Sequence, residues 1–286
     1  MDIRVSFAAA GPIPESLVAM VPPTAEVSAE ETNYGQRITL FTSHPDPDLL
    51  RTALRAVAGD VAVGVITGPL VRENARLVLM DVDSTLTTTE AIDLLAEHAG
   101  VGPVVAEITE RAMRGELDFG QSLTERVGTL KGLPAGIFDA VGAAMTLSPG
   151  AVELIAAAKA TGALVGVTSG GFIQLVEPLA TKLGLDFCNA NELETELVDD
   201  TVQLTGRVVG QVVDRDQKAR DLLRFAHDHG VDPALTVAIG DGANDLGMFD
   251  AAGLSVAYRA KPVTAAAADV AVNFPRLDAA TAFAFA

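Results

Sequence analysis

The chain of 286 residues carries 20 Lys and Arg against 38 Asp and Glu, a formal net charge of −18, with 49% hydrophobic residues. That length supports a large core and two domains, and the apolar content argues against disorder. The acidic balance disfavours nucleic acid or an anionic membrane as partner, because such binding runs on excess Lys and Arg, yet it leaves room for a small anion held by a local positive site.

Residues 1–72 read as a separate α+β unit. Ile3 to Phe7 is a strand candidate, and Pro14 to Val21 a short helix closed by Pro22 and Pro23. Two strands between Val27 and Thr42 flank the turn Asn33-Tyr34-Gly35. Asp46 to Ala58 spaces Leu49, Leu50, Ala53, Leu54 and Val57 as a helix does, ended by Gly59, and Val61 to Thr67 closes the unit as a strand. This βαββαβ order is the ferredoxin-like arrangement, and 69–75 reads as its linker.

From residue 76 the pattern changes. Apolar strand candidates at 77–80, 164–167, 235–239, 254–257 and 270–272 alternate with helices such as Ala151 to Ala160 and Gln217 to His229. Such alternation predicts a Rossmann-like parallel sheet covered by helices on both faces, over 76–286. The interval before the strand at 164 is too long for one crossover, and its helical stretches at 90–99, 102–114, 118–130 and 134–144 predict an inserted helical cap at about 88–148. Residues 187–213 suggest a small hairpin around Thr205-Gly206-Arg207. The lone Cys188 excludes a disulfide framework and reads as a small buried hydrophobe, and His227 and His229 read as surface residues. The N-terminus lacks a basic start, and no apolar run reaches membrane-spanning length, so a soluble cytoplasmic protein is expected.

Four segments sit at strand or helix ends. Asp81 and Asp83 follow the apolar run Leu77 to Met80; two carboxylates there repel unless a cation or proton compensates. Thr168-Ser169-Gly170-Gly171 follows the second strand, Lys218 opens a helix, and Gly240-Asp241-Gly242-Ala243-Asn244-Asp245 follows the third. Each alone has a bland reading as a cap, a turn or a solvated lysine. In a parallel sheet these ends converge on one edge, where Asp81, Asp83 and Asp241 offer hard oxygens suited to Mg²⁺ and Ser169 and Lys218 suit phosphate oxygens. No GxxxxGK[ST] loop occurs, which disfavours a P-loop enzyme.

The segments DVDST, TSGG, Lys218 and GDGAND, in that order, resemble the four motifs of the haloacid-dehalogenase superfamily. Within it, Glu90 and the stretch RAMRGELDFGQSLTERVGTLKGLP at 111–134 resemble the phosphoserine phosphatase family, the likeness covering roughly 76–275. Val82 stands where that family has Met or Phe, and no meaning is read into Gly247. The resemblance implies Asp81 as nucleophile forming an aspartyl-phosphate, and Asp83 as general acid and base. It implies one Mg²⁺ on Asp81, Asp241 and the Asp83 backbone carbonyl, with Asp245 in support. Ser169, Gly170, Lys218 and Asn244 would hold the phosphoryl group. Glu90 would pair with the substrate ammonium, Arg126 would fork onto its carboxylate, and Met113 and Phe119 would close over it. The bland alternative for Glu90 and Arg126 is a solvated helix face, and for Phe119 a core position.

The N-terminal unit resembles ACT-type regulatory domains, which implies serine binding or homodimer formation; the alternative is an appendage that only packs on the core. Competing functions are a phosphotransferase with a homoserine-like acceptor, and a non-catalytic amino-acid sensor.

Overall fold

A computed structural model of the protein describes residues 1–22 and 26–286, so Pro23, named above as closing the first helix, lies outside the described residues. The first unit runs β1 (Asp2–Ala9), α1 (Glu15–Val18), β2 (Glu26–Thr32), β3 (Gly35–Ser43), α2 (Pro47–Val57) and β4 (Ala62–Ile66). Its antiparallel sheet has the order β2-β3-β1-β4, in keeping with the ferredoxin-like expectation. Asp46 caps α2 by accepting from the Leu49 N–H at 3.0 Å, and Pro47 opens the first turn.

Period-two alternation divides the sheet into two buried faces. Ile3, Val5, Phe7 and Ala9 pack with Leu17, Leu50 and Leu54. Ala8, Ala62 and Ile66 turn the other way and join Phe283 and Phe285 in the main core of the molecule. On this second face the fully buried Arg4 donates from Nη2 to the Phe283 carbonyl at 2.7 Å, and burial pushes its guanidinium down to about 10. The segment 69–75, read above as a linker, is partly packed, with Arg72, Glu73 and Asn74 exposed. Leu70, Val71 and Ala75 are buried, and the Ala75 N–H donates to the Ala284 carbonyl, because the chain crosses here between two apolar faces that need covering.

The larger unit contains β5 (Leu77–Met80), then the cap helices α3 (Ala91–His98), α4 (Gly102–Met113), α5 (Phe119–Gly128) and α6 (Ile137–Ala144). It continues with α7 (Ala151–Ala160), β6 (Leu164–Phe172), α8 (Ile173–Leu183), β7 (Phe187–Val198), β8 (Thr201–Val209) and α9 (Arg215–Asp228). It ends with β9 (Thr236–Gly240), α10 (Leu246–Ala251), β10 (Leu254–Tyr258), α11 (Pro262–Ala267), β11 (Val270–Val272) and α12 (Thr281–Ala284). The seven-stranded sheet has the order β11-β10-β9-β5-β6-β7-β8, parallel except for the β7/β8 pair.

That pair corrects the expected hairpin. The turn lies at Asp199-Asp200, both at positive φ (46° and 60°), while Thr205, Gly206 and Arg207 lie within β8. Paired positive φ values match the twist of the flanking strands, and aspartate is one of the few residues that tolerates them. The hairpin also braces the cap: the Gly132 N–H donates to the Leu204 carbonyl and the Ala135 N–H to the Val202 carbonyl, both at 2.8 Å. The cap's entry and exit segments pair at Thr87 and Leu147.

Candidate active site

Three neighbouring strands reach the same edge, with β6 running on past it. Met80 is in register with Val167 of β6 and Ile239 of β9, so Asp81, Thr168 and Gly240 stand side by side at the carboxyl edge. There Asp81 accepts from the Val82 N–H at 2.7 Å and its other oxygen meets Lys218 Nζ at 2.7 Å. The chain then turns sharply. Ser84 sits in the left-handed region (φ 57°), a conformation that non-glycine residues adopt mainly under constraint, and its hydroxyl donates to Glu90 at 2.7 Å. This turn swings Asp83 back toward β6, where it accepts from the Ala91 N–H at 2.8 Å and from Ser169 Oγ at 3.4 Å.

Lys218 is fully buried, touching Asp81 and Asp245 at 2.7 Å each. Burial of an ammonium is tolerated only with compensation, and the two carboxylates hold it firmly protonated. Asp245 accepts from Lys218 on one oxygen and from the Asp241 and Gly242 N–H groups on the other. Asp241 keeps more of its acceptor capacity, receiving the Thr85 hydroxyl at 3.2 Å. Burial and the charge of Asp245 push Asp241 up to about 6 and raise Asp81 as well. Burial, with Glu90 adding repulsion, pushes Asp83 up to about 7.

The Asp81, Asp241 and Asp245 carboxylates bring oxygens within 4.8 Å of one another. Three carboxylates against one ammonium leave an excess of negative charge in a buried place, and an all-oxygen donor set fits a hard divalent cation. The arrangement can therefore hold a metal beside a carboxylate nucleophile candidate, with a second, separately elevated carboxyl within reach of the same space. Burial raises both Asp81 and Asp83, and contact is what distinguishes them: Asp81 lies against Lys218, whereas Asp83 accepts from the Ala91 N–H and Ser169.

Asp81, Asp83, Glu90, Met113, Phe119, Arg126, Gly170, Asp241 and Asn244 all line a single cavity of about 760 Å³ between the sheet edge and the cap. Ser169 and Lys218 are fully buried behind this wall. The cap contributes through α5. Asp118 and Gln121 form a reciprocal capping box, and two turns separate Phe119 at the helix start from Arg126 on the same side. Phe119 reaches the sheet edge: a Cβ added to Gly170 would lie 3.3 Å from its ring tip. Met113 is 73% exposed at the cap rim. Among the described residues the Arg126 side chain donates one hydrogen bond, from Nε to the Ser122 carbonyl at 3.3 Å, which leaves its fork facing the cavity without a carboxylate partner.

The cavity wall also includes Asp93, Arg215 and Lys261, which the sequence reading did not single out. Each is a charged residue at an ordinary helix start, and nothing local marks it. Gly247, left without meaning above, has a packing role: a Cβ there would lie 2.4 Å from the Arg215 carbonyl oxygen, so only glycine lets α10 approach the start of α9 so closely.

Residues 78–250 match the family model described as haloacid dehalogenase-like hydrolase. The chain belongs to the haloacid dehalogenase-like hydrolase family. Among curated relatives of this hydrolase, the phosphoserine phosphatase of Streptomyces coelicolor is 55% identical over 271 residues, covering 89% of this chain and 65% of the relative. This chain thus spans somewhat under two thirds of that relative's length. A crystal structure of a probable phosphoserine phosphatase from Vibrio cholerae, in unliganded form, is 37% identical with a TM-score of 0.78, covering 98% of this chain and 85% of that one. A structure described as a phospho-aspartyl intermediate analogue of phosphoserine phosphatase is 41% identical with a TM-score of 0.66, covering 73% of this chain and 97% of that one.

Proposed function

We propose that this hydrolase is a Mg²⁺-dependent phosphoserine phosphatase that releases serine and inorganic phosphate through an aspartyl-phosphate on Asp81. The observation that carries the reading is one cavity that holds two kinds of group. Asp81 and Asp83 line it with the buried Lys218 behind them, and so do Glu90 and the fork of Arg126, which no carboxylate pairs among the described residues. A phosphate, an ammonium and a carboxylate on one small molecule match these groups.

In the first step an Asp81 oxygen attacks phosphorus and the bond from phosphorus to the serine oxygen breaks, while the protonated Asp83 gives its proton to that oxygen. In the second step Asp83 takes a proton from water, the water oxygen attacks phosphorus, and the bond to Asp81 breaks. Ser169, the Gly170 N–H, Lys218 and Asn244 offset charge on the phosphoryl oxygens. Asp81, Asp241 and the Asp83 carbonyl would hold Mg²⁺, whose chemistry is to neutralise charge on the reacting phosphoryl group. Asp245, its oxygens already engaged, orients this set. Serine binding or pairing of two copies through residues 1–72 would use the exposed edge strand β2, since the sheet is covered on both faces over β1 and β4.

The decisive experiment is phosphate release from phosphoserine with Mg²⁺ by the wild type and by Asp81→Asn and Arg126→Ala. Asp81→Asn should abolish turnover, and equal rates would remove Asp81 as nucleophile. Arg126→Ala should lower kcat/KM for phosphoserine at least ten-fold more than for an ester lacking a carboxylate, in line with roughly 1.5–3 kcal/mol for a hydrogen bond to a charged group. Equal losses on both esters would make Arg126 a structural residue.

A further inference from the structure

Ser169 and Gly170 can grip a phosphoryl group only if the loop carrying them is fixed relative to Lys218, which belongs to another element. The sheet fixes it only in part. Thr168 and Ser169 pair with Asn189 and Ala190 of β7, but the register shifts between Ser169 and Phe172, so the end of β6 leaves the regular ladder at Gly170. Two side chains outside the motifs take over. Asn191 of β7 is fully buried; its Nδ2 donates to the Gly170 carbonyl at 2.8 Å and its Oδ1 accepts from the Val213 N–H at 2.8 Å, just before α9. On the other side of Ser169, the Thr168 hydroxyl donates at 2.7 Å to Asp221, one turn after Lys218 on α9. Asp221 is also fully buried and accepts from Asn189 (2.6 Å), Gln217 (2.9 Å) and Arg224 (3.2 Å). Both neighbours of Ser169 are thus tied to the helix that carries Lys218 or to the residue just before it.

We propose that Asn191 and Asp221 are positioning residues that lock the Thr168–Gly170 end of β6 to the start of α9 and so set the geometry of the phosphoryl-gripping donors. A buried amide and a buried carboxylate are costly unless fully bonded, and here the bonds of Asn191 and the Thr168 bond of Asp221 link the end of β6 to α9 and the residues just before it. This rests on the phosphoryl-transfer reading above, though not on phosphoserine as the substrate.

The test uses the full chain with Asn191→Ala, Asn191→Asp and Thr168→Val, assayed on 4-nitrophenyl phosphate and phosphoserine, with orthovanadate inhibition and the Mg²⁺ midpoint measured alongside circular dichroism. Asn191→Asp keeps the acceptor for Val213 but sets a carboxylate against the Gly170 carbonyl. For folded Asn191 variants, kcat should fall roughly ten- to hundred-fold, as an ångström of misplacement does, and vanadate should bind weaker by a similar factor while the Mg²⁺ midpoint stays put. Thr168→Val, which deletes one hydroxyl, should lose several-fold in both. Wild-type kcat and vanadate affinity per folded molecule, with only Tm lowered, overturn the proposal. Should the Asn191 variants not fold, Thr168→Val decides alone by the same two readouts. A wild type active on 4-nitrophenyl phosphate but not on phosphoserine would remove the substrate reading and leave this one standing.

Discussion

The two aspartates of the first motif differ because their surroundings differ. Asp81 faces Lys218 at 2.7 Å, whereas Asp83 pairs with no cation among the described residues and is pushed up to about 7 by burial and by Glu90. A carboxyl that is still protonated near neutral pH can give a proton to a departing alkoxide. On phosphoserine, kcat/KM should therefore decline as pH rises through about 7. A leaving group that needs no proton separates this role from mere structure. Asp83→Asn should cost phosphoserine much more kcat/KM than 4-nitrophenyl phosphate, by at least ten-fold, or about 1.4 kcal/mol. Equal losses would deny Asp83 the role of acid. Side-chain identity at these positions is legible in the sequence, since DVDST and GDGAND stand out at strand ends. The difference between the two carboxyls is not legible, because it depends on a lysine 137 positions later (218 − 81) folding into contact with only one of them.

At the scale of elements, the site depends on close approach between loops. A Cβ on Gly171 would lie 2.7 Å from Asp83 Oδ2 and 3.1 Å from Ser169 Oγ, whereas one on Gly170 would meet only the tip of Phe119 at 3.3 Å and ordinary contacts beyond it. Gly171→Ala should displace the acid and cost roughly ten- to hundred-fold in kcat, while Gly170→Ala should be accommodated by a small shift of the cap ring. Steady-state kinetics of the two variants, with thermal melts to confirm folding, checks the contrast, and equal effects would mean that the loop adjusts as a body. Most elements are readable from periodicity and caps: β5 is Leu77–Met80 as expected, and α5 begins after Asp118. The β7/β8 turn escaped because Asp199-Asp200 lacks the glycine that usually announces such a turn.

For the whole molecule, the buried acidic cluster links metal, protons and stability. Asp83 and Asp241 are raised to about 7 and about 6 from an ordinary 3.8, so the folded state holds these protons more tightly than the unfolded chain does. Their contribution to stability is fully present below pH 3.8 and is lost as pH rises through 6 to 7. The metal-free protein should melt progressively lower from pH 5 to pH 8 on their account, and Mg²⁺ should raise Tm more at pH 8 than at pH 5, since the cation competes with those protons. At a hundred-fold excess over Kd the gain is about 2.7 kcal/mol, or roughly 5–10 °C for a chain of this size. A Mg²⁺ shift independent of pH, or its survival in Asp241→Asn, would place the cation elsewhere.

The sequence by itself determined the chemistry available: which strand ends carry carboxylates, which helix carries a lysine, and that a helical cap interrupts the sheet. Those are local properties, because alternation, capping and turn residues act over a few positions. Tertiary structure decided the rest. It brought Arg126 and Asp81 to the wall of one cavity, buried Lys218 between two carboxylates, and covered the second face of the N-terminal sheet with Phe283 and Phe285. It also recruited Asn191 and Asp221, which no motif marks. Contact between residues far apart in the chain depends on how helices and strands pack, and packing is a property of the whole fold rather than of any short stretch.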